Sequence, residues 1–180
     1  MNNNTEKHIT VLGVGNFLFA DEGLGVHVVE RLMDGYEFSE NVSVEDGGVL
    51  GLELLGIMSE TDHLIVVDTI RKGAVPGTFH RMEGEQIPRR MRAKNSLHEV
   101  DFIEAFTCCQ LLDKVPETVI LGLEPLDIET LSIELTPTIR DRVDFLVDEV
   151  LSELDRLGAG YRPKGERRHV SSHTCQDYQD

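Results

Sequence analysis

Four side chains stand where catalysis or metal binding would need them. Glu22 opens the helical stretch after the first apolar run, Asp46 and Asp68 close the second and third apolar runs, and His98 falls in the first turn of a later helix. Carboxylates with one imidazole and no thiolate are hard or borderline donors, a set that suits a divalent metal keeping open positions. Singly, each residue has an ordinary use: an Asp at a strand end caps or turns the chain, and a His early in a helix is a surface polar group. A shared location is what would join them. In an open α/β sheet, ligands bind beyond the carboxyl ends of the strands, near the point where strand order reverses. In a 2-1-3 order the three strands are neighbours about 4.8 Å apart, so Glu22, Asp46 and Asp68 would converge at one edge and His98 could close the group.

The elements that must position them are legible in the hydrophobic pattern. Residues 8–15 form a short, β-branched, apolar run ending in glycines, the mark of a buried parallel strand. From Asp21 to about Asp34 the spacing of Leu24, Val28 and Leu32 predicts a helix, with Asp21 and Glu22 suited to its first turn. Residues 41–46 alternate like a strand and stop at Asp46-Gly47-Gly48, and Leu50, Leu54, Leu55 and Met58 mark a second helix. Residues 63–68 are a third strand, 78–83 an edge strand, and 118–123 a further apolar strand. Ser96 and Glu99 have capping-box spacing before a helix carrying Phe102, Ile103, Phe106 and Cys109. Thr136-Pro137 predicts an N-cap and N1 proline for one long helix reaching Leu154. Strands and helices that alternate in this way indicate an α/β sandwich around a largely parallel sheet. Residues 1–157 are taken as one α/β domain and 158–180 as a polar, mobile tail dispensable for folding.

Composition narrows the function. The 180 residues are 40% hydrophobic and 28% charged, ordinary for a globular chain. Acids outnumber bases 33 to 17, a net charge of −16, so a nucleic-acid partner is not expected. Three cysteines, two of them adjacent (Cys108, Cys109), form no disulfide framework or metal knuckle and fit a reducing cytoplasm. No apolar run approaches the roughly 18 residues of a membrane span, so neither export nor membrane insertion is expected. Several motifs fail on inspection. Gly13-Val14-Gly15 lacks the third glycine of a dinucleotide fingerprint, Asp68-Thr69 is followed by Ile70 instead of glycine, and His98-Glu99 lacks a second histidine downstream. Arg89, Arg90, Arg92 and Lys94 form a basic cluster shortly before His98.

The segment Val11-Leu-Gly-Val-Gly-Asn-Phe-Leu-Phe-Ala-Asp-Glu-Gly-Leu-Gly-Val26 closely resembles the hydrogenase maturation proteases, endopeptidases that trim the C-terminus of a nickel-iron hydrogenase large-subunit precursor. Asp46-Gly-Gly48, residues 62–70, Pro76-Gly-Thr78, Ser96-Leu-His98, Gly122-Leu-Glu-Pro125 and Leu135-Thr-Pro137 continue the match in the family's order, over about residues 8–157. Leu97 departs from the proline that relatives often carry there.

The resemblance implies a three-layer α/β/α sandwich with a twisted, mostly parallel (mixed) five-stranded sheet. It implies a hydrolase of the acid (aspartyl) endopeptidase kind, with Glu22, Asp68 and His98 as both catalytic and metal-binding residues. Asp46, Gly47 and Gly48 would position the substrate or support the ligands. Nickel would be supplied by the precursor, which presents its loaded centre before the extension is cut, and another divalent metal would be able to occupy the site in vitro. Two other functions compete. A nickel-binding chaperone would use the same ligands without cleavage. A phospho-receiver domain shares an acidic pair and an aspartate ending strand three, but needs a lysine after a later strand, where this chain has Glu124-Pro125.

Overall fold

A computed structural model describes residues 7–48, 53–84, 109 and 115–165. In chain order the elements are β1 (Ile9–Val14), a 3-10 turn (Ala20–Gly23), α1 (Leu24–Gly35), β2 (Tyr36–Phe38), β3 (Val42–Gly48), α2 (Glu53–Glu60), β4 (His63–Thr69), β5 (Phe79–Glu83), β6 (Glu117–Leu123), α3 (Pro137–Arg140), α4 (Val143–Arg156) and β7 (Tyr161–Pro163). All six residues of β1 are buried because the strand is central: it pairs in parallel with β3 on one side and β4 on the other. β6 extends the parallel set from β4, and β5 closes the edge antiparallel, giving the order β3-β1-β4-β6-β5. The sheet is therefore mixed and mostly parallel, and its first three strands have the 2-1-3 arrangement on which a shared edge depends.

Alternation along the strands divides the core into two layers. Val11, Ile65, Val67 and Leu121 pack with α1 and α4 through Leu24, Val28, Leu32, Leu146 and Val150. Leu12, Leu64, Val66 and Ile120 pack on the other face with Leu54 and Met58 of α2 and with Cys109. Leu24, Val28, Val29 and Leu32 are fully buried, and at about 2 kcal/mol for each such side chain they fix α1 firmly enough for the turn before it to carry a precisely held group. Gly25 makes the docking close. A Cβ there would lie 2.3 Å from the carbonyl oxygens of both Val14 and Val67, so only glycine lets the first turn of α1 rest on the carboxyl ends of β1 and β4.

Three local expectations are corrected. The first helix starts at Leu24, because residues 20–23 wind as a 3-10 turn. The helix expected from Pro137 onward breaks after Arg140 and resumes at Val143. Its start has no side-chain cap, since the Thr136 hydroxyl donates to Asp21 Oδ2 (3.0 Å) instead. Residues 158–165, assigned to the tail, also carry structure. Tyr161–Pro163 pairs antiparallel with Tyr36–Phe38, Tyr161 meets Tyr36 edge-on at 6.0 Å between ring centres, and Arg162 Nε donates to Glu37 (2.7 Å). With Lys164 also donating from its backbone N–H to the Gly35 carbonyl (2.8 Å) and from its ammonium to the Met33 carbonyl, the ribbon is held by contacts that leave no periodic pattern. The expected Cys109 helix falls outside the described residues except for Cys109 itself, which is helical and buried.

Candidate active site

The carboxyl ends of β1, β3 and β4 form one rim. Gly13 of β1 lies between Asp46 of β3 and Val67 of β4, so Asp68 follows immediately on the same level. Asp68 is half-buried, and its Oδ1 accepts the Thr69 N–H at 2.7 Å, which sets the plane of the carboxylate. Glu22 reaches this corner by close backbone packing. Gly15, at φ +138°, follows β1, and a Cβ on it would fall 1.9 Å from the Glu22 carbonyl oxygen. The 3-10 turn that carries Glu22 packs against β4 as well as α1. The structure thus brings half-buried Glu22 and half-buried Asp68 to the same corner of the sheet.

Asp46 is placed differently. It is exposed, and its Oδ1 accepts the Gly48 N–H at 2.9 Å, closing the turn that ends β3. Strand alternation puts it on the face of its register partner Val67, whereas Asp68 belongs to the opposite face. The pairing of β1 with β3 skips Gly47, a bulge beside which Gly48 (φ +39°) accepts the Gly15 N–H at 3.2 Å. Asp46, Gly47 and Gly48 therefore build the turn that steadies Gly15, and through Gly15 they bear on the placement of Glu22. His98, the basic cluster at Arg89, Arg90, Arg92 and Lys94, and Cys108 lie outside the described residues. Among the described residues no three His, Cys, Asp or Glu side chains gather as a metal cage.

Two further carboxylates organise the loops around this corner, and Asp21, expected in the first turn of the helix, instead anchors loops distant in sequence. Asp21 is completely buried, its Oδ2 accepting the N–H groups of Leu126 and Asp127 (both 2.9 Å) and the Thr136 hydroxyl, its Oδ1 the Thr136 N–H at 2.8 Å. A 3-10 turn has three residues per turn, so neighbours point about 120° apart. The Asp21-Glu22 pair is split by that geometry into an inward anchor and a half-buried candidate ligand. Glu124, just beyond β6, is 5% exposed and accepts N–H groups of Lys72 and Gly73 at 2.8 to 3.0 Å, with His80 Nε2 at 3.2 Å. It ties down the turn that follows Asp68. The available signal for both was an acid in an otherwise buried stretch, which demands a full set of donors.

Burial pushes the Glu124 carboxyl up, but the N–H groups of Lys72, Gly73 and Ala74 together with His80 outweigh it, and the group sits below its ordinary value of 4.5. A carboxyl lowered by folding adds stability that is fully present above its unfolded value and is lost as pH falls through the lower folded one. Glu124→Gln is accordingly expected to cost about 1–2 kcal/mol at pH 7. The difference should close as pH is taken below 4.5, which denaturant titrations of both proteins across pH 3–7 will measure. An equal gap at pH 3 and pH 7 would contradict the ionised role.

A model described as hydrogenase maturation protease (HycI) matches residues 26–153. The hydrogenase expression/formation protein HupD of Bradyrhizobium diazoefficiens is 40% identical over 153 residues, covering 82% of this chain and 80% of its own. The hydrogenase 2 maturation protease of Escherichia coli K12 is 35% identical over 158 residues, covering 87% and 96%. The solved hydrogenase maturating endopeptidase HybD from E. coli superposes with a TM-score of 0.83 at 34% identity, covering 87% of this chain and 98% of that one.

Proposed function

Because this chain belongs to the hydrogenase maturation protease family, and is on that ground a hydrolase, we propose that it removes the C-terminal extension of a nickel-iron hydrogenase large-subunit precursor once nickel is in place. The reading is supported by the packing of the Glu22 turn against β4, the strand that ends at Asp68, with the neighbouring acid Asp21 turned inward to hold the surrounding loops. Family membership as a protease also sets aside the chaperone and phospho-receiver alternatives.

Nickel belongs to the substrate in this reading. Glu22, Asp68 and His98 would hold it, and the donor set fits: two carboxylates on a rigid rim and one imidazole leave positions for the precursor's own ligands. Bound there, the ion supplies Lewis acidity toward a carbonyl or a water molecule. The chain's own part is to fix the carboxylates. Thr69 orients Asp68, Gly15 and Gly25 seat the Glu22 turn, and Asp21 and Glu124 hold the loops that frame both. One of the carboxylates, acting as general base toward the attacking water, is the route that needs no metal assistance.

The same reading places the reaction in the cytoplasm; no helix among the described residues is long and apolar enough to cross a membrane. Incubating the protein with nickel-loaded precursor and weighing the large subunit by mass spectrometry tests the proposal. Loss of a single C-terminal peptide is expected. An intact precursor after prolonged incubation would refute it.

A further inference from the structure

Four of the seven exposed large apolar side chains among the described residues lie in two segments joined just ahead of the turn that carries Glu22. Phe17 (47% exposed), Leu18 (45%), Leu131 (74%) and Ile133 (54%) belong to two segments that are distant in sequence but locked together. The Ala20 N–H donates to the Ser132 carbonyl at 2.7 Å, and the Ser132 N–H donates to the Leu18 carbonyl at 2.9 Å, forming a parallel bridge between Phe19 and Ser132. Phe17 and Leu18 sit in the turn closed by the Phe19 N–H to the Asn16 carbonyl (3.1 Å), and Leu131 and Ile133 flank the bridged Ser132, so the four exposed side chains come from one hydrogen-bonded pair of segments. Scattered exposed apolar residues need no explanation. A ledge fixed by backbone hydrogen bonds and ending at Glu22 is a different matter.

The ledge is also held under strain. Ala20, between it and the Asp21-Glu22 pair, has φ +41°, the one non-glycine residue with positive φ among those described. Such a conformation costs on the order of 1 kcal/mol or more and persists where surrounding structure over-determines it. Here it lies between the exposed Phe17 and Leu18 and the buried Asp21.

The ledge segments themselves carry acids and no Lys or Arg, and the nearest basic side chains, Arg31 and Arg140, line a pocket with Glu134. Residues 15–30 and 117–139 contain no Lys or Arg, whereas Glu129 and Glu134 are exposed acids in the same loop as Leu131 and Ile133. Asp127 is held ionised: the Thr130 hydroxyl, then the N–H groups of Thr130 and Glu129, pull its carboxyl below the ordinary value. An apolar strip bordered by carboxylates is complementary to a segment that offers apolar and basic side chains.

We propose that Phe17, Leu18, Leu131 and Ile133 form a docking ledge that seats an extended, apolar and basic segment of the precursor next to Glu22. The proposal rests on the precursor being the substrate and names the surface that holds it. Its test separates binding from cleavage. The affinity of the full chain for nickel-loaded precursor is titrated by fluorescence anisotropy, and cleavage kinetics are recorded in parallel. The triple variant Leu18→Ser/Leu131→Ser/Ile133→Ser is expected to weaken affinity and raise KM at least tenfold. Glu129→Lys/Glu134→Lys is expected to weaken affinity at low salt and to approach wild type at high salt, where charge repulsion is screened.

Unchanged affinity in the triple variant would overturn the ledge. If that variant lacks a cooperative melt, Leu131→Lys alone decides, since its parent side chain is three-quarters exposed: at least threefold weaker binding is expected, and wild-type binding overturns the proposal. A wild-type dimer dissolved by Leu131→Lys would also overturn it, showing that a second copy covers the ledge. Wild-type protein that binds precursor through the ledge without cutting it would defeat the protease reading alone, and wild-type protein that neither binds nor cuts defeats both.

Discussion

Replacing Asp68 with Asn is expected to slow precursor cleavage by at least about a thousandfold while leaving the melting temperature within about 2 °C of wild type. The substitution keeps Oδ1, and with it the 2.7 Å acceptor for the Thr69 N–H, so the end of β4 should retain its shape. It removes the negative charge from a half-buried position at the rim. Stabilisation of a polarised carbonyl or water by a held metal is worth several kcal/mol, and about 4 kcal/mol corresponds to a thousandfold in rate. Single-turnover cleavage at saturating nickel-loaded precursor, with calorimetry of the same preparations, measures both quantities. Cleavage within tenfold of wild type would remove Asp68 from the site. A melting temperature lowered by 10 °C would show that its main work is structural.

Asp21→Ala should do the opposite, costing about 3 kcal/mol of stability before any effect on chemistry is considered. Four donors converge on this buried carboxylate from three loop residues, Leu126, Asp127 and Thr136. Removing the acceptor strands them away from water, and hydrogen bonds to charged groups contribute about 1.5–3 kcal/mol each without adding fully. For a chain of this size the loss corresponds to roughly 6–12 °C in melting temperature. Asp21→Asn should fall between, because an amide can satisfy one side of the donor set but turns its NH2 toward the other. The adjacent Glu22→Gln should melt like wild type. Thermal melts of the three variants check the ordering; if Asp21→Ala melts at the wild-type temperature, the inward anchor is misassigned.

The split between these neighbouring acids marks how far the amino-acid sequence could be read. The apolar runs at 9–14, 63–69 and 117–123 announced buried strands because they lie inside the parallel set, covered on both faces. The Asp-Glu-Gly signature and the strand-end Asp68 pointed to one rim for the same reason. What remained hidden depended on contacts between residues far apart in the chain. The roles of Asp21 and Glu124 are written in loops more than fifty positions away. Gly15 looked like a fragment of a nucleotide-binding motif, yet its missing side chain makes room for the Glu22 carbonyl. The break at Asp141–Arg142 and the Tyr161–Pro163 strand left no periodic trace. Asp46 had the right location and chemistry to join the group, but a one-residue bulge and strand alternation turned it to closing its own turn.

The central claim is that this protease acts on a metal carried by its substrate, and paired reactions with nickel-loaded and rigorously nickel-free precursor test it most directly. Mass spectrometry of the large subunit should show the C-terminal peptide released from the loaded precursor and the nickel-free precursor left intact, including when the protease has been preincubated with nickel and desalted. Efficient cleavage of the nickel-free precursor would contradict the account.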